Sequence, residues 1–124
     1  MEKNILCVDD SPSIRQIVKV CLEGEGFNVL EAVDGLDALD KVKGNSNINL
    51  FVVDVNMPNM DGITFVKELR KIEGFGDTPV IILTTESLAS KKVEGKEAGA
   101  NGWIVKPFDP PQFIKVITRL VGIN

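Results

Sequence analysis

The chain has 124 residues, enough for one domain that buries roughly two-thirds of its unfolded surface and needs no disulfide or structural metal to hold a core. Hydrophobic residues make up 44% and charged residues 26%, with a net charge of −4 and no stripe of Lys and Arg interleaved with aromatics, which argues against direct nucleic-acid binding. The sequence holds no histidine, which removes His-based general-base catalysis and most zinc sites, and no apolar run approaches the ~20 residues of a membrane span. Met1 to Ile5 lacks the apolar stretch of a signal peptide, so a cytoplasmic location is expected. Cys7 and Cys21 both sit in apolar patterns and read as small buried hydrophobes.

In chain order, Ile5-Leu6-Cys7-Val8 is a short apolar run ending at Asp9-Asp10. Ser11-Pro12 then opens a helix as an N-cap with Pro at the first helical position. Its apolar face is Ile14, Ile17, Val18, Cys21 and Leu22, and Gly24 and Gly26 stop it. Phe27 to Ala32 reads as a second strand with the polar positions of an edge. Asp34-Gly35 opens a helix carrying Leu36, Leu39 and Val42, which Gly44-Asn45 closes. Leu50 to Val53 is the most hydrophobic strand and ends at Asp54. The loop Val55 to Gly62 leads to a helix carrying Ile63, Val66, Leu69 and Ile72. Pro79 to Leu83 is a fourth strand, ending at Thr84-Thr85. Residues 88–98 form a helix with few apolar positions: Leu88, Val93 and Ala98, with Gly95 inside. Gly102 to Val105 is a fifth strand, ending at Lys106-Pro107, and Asp109-Pro110 starts a last helix with Phe113, Val116, Ile117 and Leu120. Five strands alternating with five helices predict an α/β fold around a parallel sheet, and the continuous apolar runs of strands one, three, four and five predict cover on both faces.

Chemically active residues gather at one kind of place. Asp9 and Asp10 end strand one, Asp54 ends strand three, Thr84 ends strand four and Lys106 ends strand five. In a parallel sheet these ends share an edge, and open α/β sheets bind ligands there, where the strand order reverses. Each residue taken singly fits a helix cap or a turn; five at successive strand ends point to a site. Three carboxylates repel and need a cation. An oxygen-only donor set suits a hard ion such as Mg2+, which takes one or two carboxylates plus phosphate oxygens. A lysine beside it is a point charge for a phosphoryl oxygen, and a threonine hydroxyl can donate to another. The set suits phosphoryl transfer with a carboxylate as nucleophile.

The motifs Val8-Asp9-Asp10-Ser11, Val53-Asp54-Val55-Asn56-Met57-Pro58-Asn59-Met60-Asp61-Gly62, Leu83-Thr84-Thr85-Glu86 and Ile104-Val105-Lys106-Pro107-Phe108 resemble, in order and spacing, the receiver domain of bacterial response regulators. Among these the single-domain chemotaxis regulators are the nearest in kind. The resemblance covers residues 1–124 as a single receiver without an output domain. It implies a doubly wound, flavodoxin-like (CheY-like) (βα)5 fold with a five-stranded parallel sheet in the order 2-1-3-4-5. It makes Asp54 the phosphoacceptor. Asp10, Asp54 and the backbone carbonyl of Asn56 would ligate Mg2+, with Asp9 acting through a water. Lys106 would pair with the phosphoryl group, and its bond to Pro107 would be cis. Thr84 would be the switch hydroxyl and Trp103 the switch aromatic, while Asn56 and Glu86 would tune autodephosphorylation. The implied phosphodonor is a histidine kinase. The implied target docks at the face of the fourth helix, fifth strand and fifth helix, with no nucleic-acid or membrane partner and the protein acting as a monomer.

Two positions depart from the family's usual residues. Thr85 is bulkier than the common Ala or Gly and narrows access to the phosphoryl group. Trp103 is larger than the common Tyr or Phe, which works against a full inward rotation. Blander roles fit other residues: Asp61-Gly62 as a turn and helix start, Met57 and Met60 packed under their loop, and Lys91, Lys92 and Lys96 as a solvated helix face. Within the family, a phosphorelay intermediate or a receiver excised from a larger regulator is the alternative. An aspartyl-phosphate phosphatase of the haloacid dehalogenase kind would carry Asp-x-Asp on its first strand, whereas the pair here is Asp54-Val55-Asn56 on the third. No Gly-x-x-x-x-Gly-Lys supports a nucleotide switch, and no Ser/Thr-rich loop after strand one supports a flavin carrier.

Overall fold

A computed structural model describes residues 3–45 and 47–122; Met1 and Glu2, part of the N-terminus read as leaderless, lie outside the described residues. The elements follow the predicted alternation: β1 (Asn4–Val8), α1 (Pro12–Glu23), β2 (Asn28–Ala32), α2 (Gly35–Gly44), β3 (Ile48–Val53), α3 (Gly62–Arg70), β4 (Val80–Thr84), α4 (Ala89–Ala98), β5 (Gly102–Val105) and α5 (Pro110–Val121). The strands form one parallel sheet in the order β2-β1-β3-β4-β5. Among the described residues no helix is long and apolar enough to cross a membrane.

Side chains alternate across a strand, so each continuous apolar run feeds both faces of the sheet. Leu6, Val8, Phe51, Val53, Val80 and Ile82 point to one side, where Ala38, Val42, Ile63, Phe65, Val66 and Leu69 of α2 and α3 meet them. Ile5, Cys7, Leu50, Val52, Ile81 and Leu83 point to the other, under Val18, Leu22, Phe113 and Ile117 of α1 and α5. Both cysteines are unpaired, with Cys7 buried and Cys21 half-buried.

Three details differ from the sequence reading. Ile17 on α1 and Leu36 on α2 are half exposed, because successive helix positions lie ~100° apart and these two fall beyond the margin of the buried stripe. On α4 Leu88 and Val93 are exposed and only Gly95 and Ala98 are buried. β5 is an edge strand, so its residues are partly covered rather than buried on both faces.

Helix ends are set by local chemistry. Ser11, Asp34 and Asp61 each accept a hydrogen bond from the backbone N–H three residues on, capping α1, α2 and α3. α4 lacks such a side-chain cap at its N-terminus and ends at Gly99 in the left-handed region, φ +113°. At that end Arg70, the last residue of α3, donates to the carbonyls of Gly99, Phe75 and Thr78 and to Asn101 Oδ1. One guanidinium thus ties α3 to the loops before β4 and β5, on the edge opposite the acidic residues.

Candidate functional site

The sheet's hydrogen-bond ladder runs on past the strand ends and sets the polar residues in place. The Asp54 N–H donates to Val8 O at 2.9 Å, the Asp9 N–H to Ala32 O at 3.1 Å, and the Lys106 N–H to Thr84 O at 2.8 Å. The Asp9, Asp54 and Lys106 side chains therefore leave from backbone already held by the neighbouring strand.

Asp9, Asp10 and Asp54 each bring a carboxylate oxygen to within 4.8 Å of the others. Asp9 and Asp54 are buried, while Asp10 faces solvent. Both oxygens of Asp9 are already engaged: Oδ1 accepts from the Ser11 N–H at 2.9 Å, and Oδ2 from Lys106 Nζ at 2.8 Å. Lys106 Nζ also lies 3.7 Å from Asp54 Oδ2. The cation bridges the two buried carboxylates, and the bond joining it to Pro107 is cis. Burial pushes the Asp54 carboxyl above its usual range and the charge of Asp9 adds to this, while the Thr84 hydroxyl and the Lys106 cation oppose it. A buried carboxylate held up in pKa beside two others is short of positive charge, and an all-oxygen donor set suits a hard divalent cation such as Mg2+.

Thr84 is fully buried, and its hydroxyl accepts from the Glu86 N–H at 3.2 Å. The Glu86 carbonyl in turn accepts from the indole N–H of Trp103 at 3.0 Å. The indole lies over Gly95 of α4, where a Cβ would come 2.8 Å from Trp103 Cζ3. A short chain of contacts therefore leads from Thr84 through the β4–α4 loop to the middle of α4. Lys92 and Lys96 line a cleft of about 330 Å³ with Asn101, Gly102 and Trp103, and Leu88, Val93 and Val105 are exposed on α4 and β5.

All five strand-end residues singled out in the sequence thus meet at one edge. Asn56 is exposed in the adjoining loop, and Met57 and Met60 pack beneath it. Sequence reasoning missed three residues. Arg15 donates to the Asp9 carbonyl at 2.6 Å and to Glu31 at 3.1 Å, backing the site from α1. Asp34 and Asn59 join across the loop after Asp54. The partner of a lone arginine or asparagine is set by tertiary contacts, and only the cap pattern at Asp34-Gly35 gave a local signal.

A family model described as the response regulator receiver domain matches residues 5–118. The chain is 36% identical over 121 residues to chemotaxis protein CheY1 of Helicobacter pylori, covering 97% of this chain and 98% of that one. It is 39% identical over 119 residues to a chemotaxis protein CheY homolog of Campylobacter jejuni, covering 95% and 92%. Among solved structures it resembles chemotaxis protein CheY4 of Vibrio cholerae at 43% identity and a TM-score of 0.91, covering 97% of this chain and 99% of that chain.

Proposed function

The chain belongs to the response regulator receiver domains and is CheY-like, and from that premise we propose that it takes a phosphoryl group from a histidine kinase onto Asp54 and switches the binding of a chemotaxis target. The observation that carries this reading is the buried Asp54 carboxylate, grouped with Asp9 and Asp10 and faced by the Lys106 ammonium, whose side chain is 11% exposed. Mg2+ would be held by Asp10, Asp54 and the Asn56 carbonyl, with Asp9 acting through a water because its own oxygens are engaged. When bound, the ion neutralises the charge that gathers on the transferring phosphoryl oxygens.

An Asp54 oxygen forms the new P–O bond as the P–N bond to the donor's phosphohistidine breaks, and the histidine nitrogen leaves with the electron pair. Lys106, poised between Asp9 and Asp54, pairs with a phosphoryl oxygen. The Thr84 hydroxyl donates to another. Moving Thr84 disturbs its bond to the Glu86 N–H, and the Glu86 carbonyl carries the change to Trp103 and α4. The output face is α4, β5 and α5. There exposed Leu88, Val93 and Val105 are accompanied by Lys92 and Lys96, with Lys115 and Arg119 on α5, a surface for an acidic amphipathic segment. Asn56 and Glu86 flank the route of an attacking water and favour a short-lived phosphoprotein.

Acetyl phosphate with Mg2+ tests the assignment. One phosphate should enter the wild type and none the Asp54→Asn variant, and Trp103 emission should change on adding Mg2+ and beryllofluoride to the wild type alone. Undiminished labelling of Asp54→Asn would overturn it.

A further inference from the structure

We infer that Asp34 and Asn59 act as a positioning pair: together they lock the loop after Asp54 and so hold the Asn56 carbonyl where the cation's oxygen shell needs it. This rests on the reading of Asp54 as a Mg2+-bound acceptor and extends it to two residues outside the acidic cluster.

The loop Val55 to Asp61 leaves β3 at the acceptor and returns as α3, with Asn56, Pro58 and Asn59 all exposed. It is fastened at three points. At its base the Gly62 N–H donates to Val55 O at 2.9 Å, and the Gly62 Cα packs so close that a Cβ would fall 2.0 Å from Asp54 O. At its crest Met60 lies on Gly35, where a Cβ would meet Met60 Cγ at 2.7 Å. Beside it Asn59 Nδ2 donates to Asp34 Oδ2 at 2.7 Å. Asp34 needs only Oδ1 to cap α2, accepting the Asp37 N–H at 2.8 Å, so its second oxygen serves the loop alone.

Asn59 is the only non-glycine residue at positive φ, +67°, among the described residues. That conformation costs energy for most side chains and is best tolerated by asparagine and aspartate. An exposed residue kept there by a charge-assisted hydrogen bond to a buried carboxylate is holding the loop in one of several available shapes. Without the bond, the peptide that carries the Asn56 carbonyl would have to be ordered each time a cation binds, and that cost would appear as weaker affinity.

Calorimetric titration with Mg2+ and hydrogen exchange of the metal-free protein test the pair. Asn59→Gly keeps the left-handed backbone and removes the amide. Asp34→Ser keeps the α2 cap but is too short to reach Asn59. Each should bind Mg2+ about tenfold more weakly, the equivalent of one hydrogen bond to a charged group. The double variant should be no weaker than either single one, because both act through one bond. Asp34→Asn, which loses the same charge as Asp34→Ser but can cap α2 and meet a flipped Asn59 amide, should retain most of the affinity. The backbone amides of the 55–61 loop should exchange faster in Asn59→Gly without metal. Wild-type affinity or unchanged loop exchange in Asn59→Gly, or equal losses in Asp34→Asn and Asp34→Ser, would overturn the inference. Failure of the wild type to bind Mg2+, or intact binding in Asp10→Ala, would overturn the acceptor-site reading instead.

Discussion

Replacing Lys106 by methionine keeps the unbranched stem and removes the charge. Lys106 Nζ lies 2.8 Å from Asp9 Oδ2 and 3.7 Å from Asp54 Oδ2, and the three side chains are 11%, 3% and 10% exposed. Removing one partner of a buried pair leaves the other charge uncompensated, which costs about 3 kcal/mol in the metal-free protein. A divalent cation held by Asp10 and Asp54 would replace most of the missing charge. With Mg2+ bound, the loss should shrink to about 1.5 kcal/mol, the value of the lost charged hydrogen bond to Asp9. The difference of about 1.5 kcal/mol must appear as tighter metal binding, roughly tenfold, because a ligand selective for the folded state stabilises it by an amount that grows with the logarithm of its affinity. Urea unfolding in chelator and in saturating Mg2+ gives the two losses, and calorimetry gives the affinity. Equal losses in both conditions with unchanged affinity would refute the idea that lysine and cation serve the same carboxylates.

Four further outcomes follow from the geometry. The folded-state pKa of Asp54 is raised, so its protonated form favours the folded state and that benefit is lost as pH rises through the raised value; titration of the Asp54 carboxyl by NMR in chelator should therefore give a midpoint above ~3.9, and a midpoint at or below that value contradicts the burial argument. Gly62→Ala places a Cβ 2.0 Å from Asp54 O, so urea unfolding should show a loss of about 3 kcal/mol and the Mg2+ response should fall with it; near-wild-type stability would count against the close approach. Gly95→Ala should forfeit the ~1 kcal/mol that alanine normally gains inside a helix, since its Cβ meets Trp103 Cζ3 at 2.8 Å; a stabilised protein with unshifted Trp103 emission would contradict the packing. Burial pushes the Cys7 thiol up to about 12, so iodoacetamide should modify Cys21 in the native protein and reach Cys7 only on unfolding; native labelling of Cys7 would show that β1 opens.

The alternation of strands and helices was legible because each buried strand is a continuous apolar run and each strand-end polar residue interrupts it. Asp10, Asp54, Thr84 and Lys106 could be read as one site because a parallel sheet brings every strand's C-terminal end to the same edge. The strand order came from family likeness, since periodicity does not say which strands are neighbours. Ile17 and Leu36 misled because a helical stripe has soft margins, and Val93 because α4 owes its place to Gly95 under Trp103 and not to apolar side chains. The Asp34–Asn59 bond spans 25 residues and leaves no periodic trace.

Arg70 has a mechanical consequence for α4. The guanidinium grips the carbonyl of Gly99 and the side chain of Asn101 at one end of α4, while the other end begins at Leu88 without a side-chain cap. A rod clamped at one end moves as a lever. Ten helical residues span about 15 Å, so a tilt of about 5° about the clamp carries the free end through roughly 1.3 Å. The clamped end would barely move, and the free end is the one joined through Glu86 to Thr84. A displacement of the Thr84 hydroxyl would therefore be taken up as a tilt of the whole of α4 about Gly99, and the chain owes that fixed pivot to one arginine at the far end of the helix.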